Sequence, residues 1–151
     1  MNERKVFILI GTVIIALVAL AIWEQQQPVI ISTTEAPKPI GPYSQGVFKN
    51  NTLYVSGQVG INPVSDEPDT ASIVAETHRA MKNMGAILKS AGMDYDNISK
   101  TTIYLTNVND FKEVNEVYAS YFTDYFPARE TIGVKSLPKG MHIEISVIAE
   151  R

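Results

Sequence analysis

The sequence predicts an α+β domain in which a single β-sheet carries two helices on one face. Two stretches have apolar residues at intervals of three and four, which is typical of amphipathic helices. Short strand-like runs surround them in the order ββαβαββ, and Gly, Pro or Asn bounds most of these runs. The 151 residues are 45% hydrophobic and 19% charged, which suits one small core.

The first element is an N-terminal hydrophobic segment. Val6 to Trp23 is an uncharged run of 18 residues, about 27 Å long as a helix, which is close to the thickness of a bilayer core. We predict that residues 1–23 form a transmembrane anchor or, because Ala-Leu-Ala at 19–21 fits a cleavage site, a signal peptide. Arg4 and Lys5 precede the run, so the positive-inside rule predicts a membrane-anchored domain on the periplasmic side, or a periplasmic or secreted domain after cleavage.

The next region changes from irregular to strand-like sequence. Residues 24–35 are rich in Gln and Thr, show no apolar period and are predicted to be a linker to a domain at 36–151. The runs GVFK and TLYVSG flank Asn50-Asn51 and predict a β-hairpin. The loop INPVSDEPD follows, and its Pro and Asp residues exclude regular structure there.

The predicted helices occupy the middle of the chain. The first covers 71–91, with Asp69 or Thr70 as its N-cap. The second has Asn109 or Asp110 as its N-cap, and Pro127 stops it. Its apolar residues lie on one stripe: Phe111, Val114, Tyr118, Tyr121 and Phe122. Between them, KTTIYLT is rich in β-branched residues and predicts a central strand.

Two further runs, at 130–134 and 141–150, predict a second hairpin around Leu-Pro-Lys-Gly. The last run alternates, with Ile143 and Ile145 on one face and Glu144 and Ile148 on the other. Because the helices would cover only one face of the sheet, this half-apolar second face predicts oligomerisation.

Composition excludes several classes of function. The net charge is −3 and no basic stripe is visible, which argues against nucleic-acid binding. The absence of cysteine excludes disulfides, thiolate catalysis and cysteine-ligated metal. His78 lies on the apolar stripe of the first helix, and His142 shares a strand face with Glu144 without a third ligand at a suitable spacing, so no metal site is predicted.

Arg129 and Glu144 are the candidate functional pair. Arg129 follows Phe-Pro-Ala and can offer a rigid guanidinium fork to a carboxylate. Glu144 stands in the middle of an apolar strand, where a carboxylate must be paired or functional. The two side chains could therefore form either a structural ion pair or an active site.

Two glycine-containing motifs are weaker signals. GPYSQG, at 41–46, is either a loop with turn glycines or part of a ligand pocket. In SGQVG, Gly57 directly follows a strand, where glycine either ends the strand in a turn or permits close approach of a ligand.

Taken together, IGPYSQGV, LYVSGQVGINP, KTTIYLTNVNDFKEVNEVY and FPARETIGVKSLPKGMHIEISVIA resemble the RidA family, also called YjgF, the reactive intermediate deaminases. The resemblance covers 36–151. It implies a chorismate-mutase-like α+β fold, a homotrimer whose sheets form a central β-barrel, and active sites in the clefts between subunits. The implied activity is hydrolysis of enamines and imines such as 2-aminoacrylate to 2-keto acids and ammonia.

The resemblance also implies roles for individual residues. Arg129 would bind the substrate carboxylate, and Glu144 would activate water. Further pocket residues would be Tyr43, Ser56, Gly57, Asn115 and Thr131. No metal or organic cofactor is implied, and the partners would be a small-molecule imine and two further copies of the chain.

Besides the added N-terminal segment, which is the larger departure, the sequence departs from the family pattern in two places. Thr131 stands where many members have a cysteine, two residues after the arginine. The loop INPVSDEPD lacks the usual Gly-Glu pair. Two alternative functions remain open at this point: a non-catalytic trimeric binding or chaperone-like module, and a ribonuclease or translation inhibitor, against which the low charge argues.

Overall fold

The structure is a computed structural model and describes residues 2–25 and 27–151. Met1 of the predicted N-terminal segment and Gln26 of the predicted linker lie outside the described residues. The main elements are α1 Glu3–Gln25, β1 Val29–Ile31, β2 Gly46–Lys49, β3 Thr52–Val59, α2 Ile73–Ser90, β4 Ile98–Leu105, α3 Phe111–Ala119, β5 Ala128–Gly133 and β6 Ile143–Glu150.

The hydrophobic N-terminal run is helical. α1 has 23 residues, and apolar side chains such as Phe7, Ile15 and Trp23 are exposed on it. Within residues 2–25 and 27–151, no helix combines the length and the apolar content needed to cross a membrane.

One mixed sheet of six strands forms the body of the domain, in the order β1-β2-β3-β6-β4-β5. β6 lies between β3 and β4 and is antiparallel to both, whereas β5 runs parallel to β4. The predicted second hairpin is therefore wrong, because β5 and β6 do not pair. Along β6, buried residues alternate with half-buried ones, so neither face of this strand is fully solvated and a central position suits it.

The predicted linker 24–35 contains the short edge strand β1. Val29 pairs with Phe48 and Ile31 pairs with Gly46. The buried side chain of Gln45 holds the following chain, accepting from the backbone N–H of Thr33 at 2.7 Å and donating to the carbonyl of Ala36 at 3.1 Å. Three residues are too few to show a period in the sequence, which is why this strand was not predicted.

Both domain helices lie on one face of the sheet, as predicted. α2 packs against β3, β6 and α3. Ser72 caps α2 by accepting from the backbone N–H of Ala75 at 3.1 Å, so the helix begins later than the predicted Asp69 or Thr70 cap. The core between the helices and the sheet is built mainly of fully buried aliphatic and Met side chains, including Leu53, Met81, Met84, Ile87, Leu88, Ile103, Leu105, Ile143 and Ile145.

The opposite face of the sheet is of mixed polarity and partly exposed. Tyr54 is 52% exposed, and Lys100 pairs with Glu130 at 3.2 Å in an exposed ion pair. Ile148 and Ser146 line a shallow depression on this face. The half-apolar second face predicted from the sequence is thus present in the structure.

Candidate active site

Glu144 lies at the centre of the sheet. It is the second residue of β6 and is flanked by Val59 on β3 and Tyr104 on β4. Its neighbours Ile143 and Ile145 point into the core, which places the Glu144 side chain on the other face, half-buried. Burial raises the pKa of the Glu144 carboxyl above its usual range, because removal from water disfavours the charged form.

Gly57 faces Glu144 across the strand pair. The register of β3 against β6 shifts between Val55 and Gln58, which is the pattern of a β-bulge. A Cβ atom added to Gly57 would overlap the carboxylate oxygen Oε1 of Glu144. The side chain of Glu144 therefore occupies the space that a side chain at position 57 would need. Gly57 lies within β3 and does not end it in a turn, and the close approach of a ligand stays a prediction.

The segment 41–46 forms a wall beside Glu144. Ser56 donates from its hydroxyl to the carbonyl of Ser44 at 2.6 Å, and its backbone N–H donates to Gln45 at 3.0 Å. The hydroxyl of Tyr43 accepts from the backbone N–H of Ile40 at 3.3 Å. The two bonds of Ser56 join the segment to β3, and the bond of Tyr43 links it back to residue 40.

The resulting cleft, which we call the Glu144 cleft, has a volume of about 370 Å³. Four predicted site residues meet in it: Tyr43, Ser56, Gly57 and Glu144. Its walls are largely apolar, with two lysines and Asp66 as the other charged groups. The remaining lining residues are Pro37, Lys38, Ile40, Gln45, Gln58, Val59, Ile61, Asp66, Pro138 and Lys139.

Arg129 lies in a different cleft of the same chain, of about 400 Å³, which we call the Arg129 cleft. The guanidinium carbon of Arg129 lies 5.0 Å from the ring centre of Tyr118 and 5.7 Å from that of Phe111. Such distances allow cation–π attraction. The cleft is lined by Asn115, Tyr118, Ala119, Phe126, Pro127 and Arg129.

The Arg129 cleft contains polar groups without partners. Among the residues that the structure describes, Arg129 forms no ion pair, and Oδ1 of Asn115 is buried without a hydrogen bond. A buried amide oxygen without a donor is costly. Within one chain, Arg129 and Glu144 lie in different clefts and form no ion pair.

Thr131 is the predicted site residue that joins neither cleft. It lies on β5 opposite Ile103 of β4 and is partly buried. It is absent from the residues that line the Glu144 and Arg129 clefts. A single chain therefore brings four of the predicted residues together in the Glu144 cleft and places Asn115 and Arg129 in the Arg129 cleft. Thr131 lies on the same strand as Arg129.

The two histidines have protein partners. Nδ1 of His78 lies 2.9 Å from the hydroxyl of Tyr121. Nδ1 of His142 lies 2.9 Å from Oε2 of Glu76, whose other oxygen accepts from the backbone N–H groups of His142 and Ile143. The fully buried carboxylate of Glu76 thus holds the chain just before Glu144.

Sequence reasoning missed the surroundings of the site. Glu76 was not singled out because an acidic residue in the first turn of a helix is ordinary. Phe111 and Tyr118 were assigned to a core stripe, and only tertiary contacts show that they also flank Arg129. Lys139 stands next to Pro138 and Gly140 in a turn, and this position gave no signal that it would line a cleft.

Structural comparison first defines the class of protein. YyfA from Yersinia pestis, of the Rid protein family, superimposes with a TM-score of 0.81 at 45% identity, covering 83% of this chain and 100% of that one. TdcF from E. coli has a TM-score of 0.78 at 36% identity, covering 82% and 98%. The fold is thus the α+β fold of Rid proteins.

Sequence comparison then gives the family. The family model described as Endoribonuclease L-PSP matches residues 33–151. The human 2-iminobutanoate/2-iminopropanoate deaminase is 49% identical over 120 residues, which are 80% of this chain and 88% of the human protein. The chain belongs to the Endoribonuclease L-PSP family, which is the RidA/YjgF family that its motifs resemble.

Proposed function

We propose that the chain hydrolyses reactive 2-imino acids and their enamine tautomers to 2-keto acids and ammonia. The observation that carries this proposal is the 49% identity to the human 2-iminobutanoate/2-iminopropanoate deaminase, combined with a half-buried carboxylate in an apolar cleft. A purely structural carboxylate would be expected to have a cationic partner, and Glu144 has none in the ion pairs of residues 2–25 and 27–151.

In the proposed reaction, water adds to the carbon of the C=N bond. Glu144 accepts a proton from water as the C–O bond forms and delivers it to the nitrogen, which gives a carbinolamine. Glu144 then takes the hydroxyl proton and passes it to the amino group. The C–N bond breaks as the C=O bond forms, and the products are ammonia and a 2-keto acid. The raised pKa of Glu144 suits this role, because a carboxyl that titrates closer to neutral pH exchanges protons more effectively.

Arg129 is proposed to bind the substrate carboxylate, with Asn115 and Thr131 beside it. In one chain, Arg129 and Glu144 lie in different clefts, so we infer that the Arg129 cleft of one copy faces the Glu144 cleft of another. The crystal structure of E. coli TdcF contains bound serine, a small amino acid whose carboxylate offers the same chemistry to an arginine fork.

The proposed assembly is a homotrimer in which the open faces of three sheets form a central barrel. This arrangement would cover Tyr54 and Ile148, which lie on the partly exposed face of the sheet. It would also supply partners to the unpaired groups of the Arg129 cleft. Sedimentation equilibrium of the protein measures the number of copies.

Deaminase activity is tested by generating 2-iminopropanoate in situ with an amino-acid oxidase and measuring acceleration of pyruvate release over the uncatalysed rate. Glu144→Gln and Arg129→Lys should both abolish the acceleration, the first by removing the base and the second by removing the bidentate fork. Glu150→Gln, on the same strand, and Arg151→Lys, which stacks on Phe48, are matched controls that should retain it. A folded wild-type protein without any acceleration would overturn the proposal.

The binding or chaperone-like module and the ribonuclease are less well supported. The family description mentions an endoribonuclease, but the chain has a net charge of −3, and ribonuclease action needs contacts to a polyanion. Retained client binding with no deamination would favour the module.

Export of the domain stays a prediction that rests on Arg4, Lys5 and the run from Val6 to Trp23. The location is either a periplasmic domain still joined to its N-terminal segment or one released by cleavage. Cell fractionation with protease protection distinguishes an exported from a cytoplasmic domain, and N-terminal sequencing of the mature protein distinguishes the two exported forms.

A further inference from the structure

An ion pair joins two loops at the Glu144 cleft. Nζ of Lys139 lies 3.1 Å from Oδ1 of Asp66, although 73 residues separate them in the sequence. Both residues line the cleft together with Glu144. Asp66 belongs to the loop between β3 and α2, which departs from the family pattern, and Lys139 belongs to the turn before β6.

Both loops hold these residues in defined positions. Asp66 has φ of 57° and Lys139 has φ of 56°, in the left-handed region that aspartate tolerates but lysine rarely occupies. The backbone N–H of Asp66 donates to the carbonyl of Asn62 at 2.9 Å. The side-chain oxygen of Asn62 accepts from the backbone N–H of Val64 at 2.9 Å, so the loop is closed on itself before it reaches Lys139.

The exposure of the two side chains shows where the pair lies. The Asp66 side chain is 78% exposed and that of Lys139 is 33% exposed, whereas Glu144 is half-buried. The pair therefore lies at the solvent side of the cleft, with Glu144 further inside. Pro138 directly precedes Lys139, and Ile61 lies in the same loop as Asp66. Both apolar residues also line the cleft.

We propose that the Asp66–Lys139 ion pair forms the outer rim of the Glu144 cleft and limits the length of the substrate side chain that the cleft admits. This inference rests on the proposed deaminase function. A cleft of about 370 Å³ is at the lower end of the range of small-molecule sites. A substrate with a short side chain would fit below the closed pair, whereas a long one would have to break it.

The test compares the imines of alanine and norleucine, generated by the same oxidase, in the wild type and in Asp66→Asn, Lys139→Gln and the double variant. Asparagine keeps the shape of Asp66 and tolerates the left-handed backbone. Opening the pair should raise the kcat/KM ratio of the long imine over the short one, by about fivefold at most, because exposed ion pairs are weak. The double variant should match the single variants, since only one interaction is removed.

Two controls separate this role from a general effect on the loop. Asp69→Asn breaks the pair of Asp69 with Arg79, 3.4 Å apart, in the same loop but outside the cleft, and should leave the ratio unchanged. Higher salt should raise the ratio in the wild type but not in Asp66→Asn, because salt screens exposed charges. An unchanged ratio in all three rim variants overturns the proposal.

Equilibrium binding separates failure of this inference from failure of the deaminase function. If the wild type accelerates neither imine, the deaminase proposal fails. Calorimetric titration with pyruvate and 2-ketohexanoate then still measures whether the cleft binds the short acid more tightly than the long one. A length preference that weakens in Asp66→Asn supports the rim. Equal preference in the wild type and the variant, or no binding of either acid, overturns it.

Discussion

Glu144 and Arg129 lie in two clefts of one chain, and their surroundings differ in kind. Glu144 faces apolar walls and the backbone of Gly57, and its carboxylate is in no ion pair within the described ranges. Arg129 lies against the rings of Phe111 and Tyr118, and its guanidinium is likewise unpaired there. Each cleft therefore holds one member of the candidate pair Arg129 and Glu144 and lacks the other, which is why we infer that two copies complete one site.

The same difference separates the two tasks of the reaction. A desolvated carboxylate is suited to proton transfer, so changes in the Glu144 cleft should act mainly on kcat. An arginine held on aromatic rings is suited to binding a carboxylate, so changes beside it should act mainly on KM. The following experiments test this division.

The largest effect concerns the sharing of the site between copies. Glu144→Ala and Arg129→Ala should each lower the rate by about 10²–10⁴-fold, as expected for loss of a general base or of substrate positioning. Co-expression of the two variants in equal amounts should restore about a quarter of the wild-type rate, because a random cyclic assembly pairs an intact Arg129 with an intact Glu144 at one junction in four.

This value applies to the unfractionated mixture. Purification through two different affinity tags removes the inactive homotrimers, and the mixed trimers should then show about a third of the wild-type rate, because one junction in three is intact. The control is a mixture of the separately purified variants before any exchange of subunits, which should stay inactive. A mixed assembly as inactive as its parents would show that each chain builds its own site.

Gly57→Ala should have the second largest effect. The new Cβ would overlap Oε1 of Glu144, and the end of this flexible side chain would move instead of the backbone. Displacement of a catalytic group by about 1 Å can cost about 100-fold in rate. Steady-state kinetics should therefore show a lower kcat, while the melting temperature changes little.

Gly41→Ala is the matched control for this substitution. A Cβ at Gly41 would lie 3.4 Å from the ring of Tyr43, an ordinary contact, so this variant should keep its activity. If Gly57→Ala is as active as Gly41→Ala, the position of Glu144 does not determine the rate.

The pH dependence tests the environment of Glu144. Burial raises the pKa of its carboxyl, and only the ionised form accepts a proton from water. We expect kcat/KM to fall as the pH is lowered through this raised pKa, at a pH above the ordinary glutamate value of about 4.3. A profile between about pH 4.5 and 8 should show this limb in the wild type; a flat profile would contradict the assignment.

The smallest effect concerns the rings beside Arg129. Phe111 is 44% exposed, so Phe111→Leu should leave the core intact while it removes one of the two rings. Exposed cation–π contacts contribute about 0.5–1 kcal/mol, so we expect KM to rise about two- to fivefold with little change in kcat. Phe111→Tyr keeps the ring and should behave as the wild type, and an effect on kcat alone would contradict the division of tasks.

Much of the domain could be predicted from local patterns. The helices near 73–90 and 111–119 and the strands around Asn50-Asn51 follow from periodicity and turn residues, which depend on neighbours in the sequence. The candidate residues Glu144 and Arg129 were found in the same way, because a carboxylate inside an apolar strand and an arginine after a helix stop are local anomalies. The RidA-like motifs identified the family before the fold was known.

The pairing of β6 could not be predicted in this way. Leu-Pro-Lys-Gly favoured a hairpin between β5 and β6, yet β6 pairs with β3 and β4. Which strands pair depends on how both faces of each strand are buried in the whole sheet. A turn sequence indicates only the local backbone geometry and therefore does not determine the partner of β6. The pairing of β1 with β2 was missed for the related reason that three residues carry no period.

By itself, the sequence determined which segments become helices and strands, which residues can carry the chemistry and to which family the chain belongs, because these depend on residue type and short-range spacing. The tertiary structure decided that Gly57 lies against Glu144 and that Arg129 occupies a separate cleft. It also decided that Asp66 reaches Lys139 across 73 positions of the chain. These contacts join distant segments, and their geometry is set by the packing of the whole sheet against its helices.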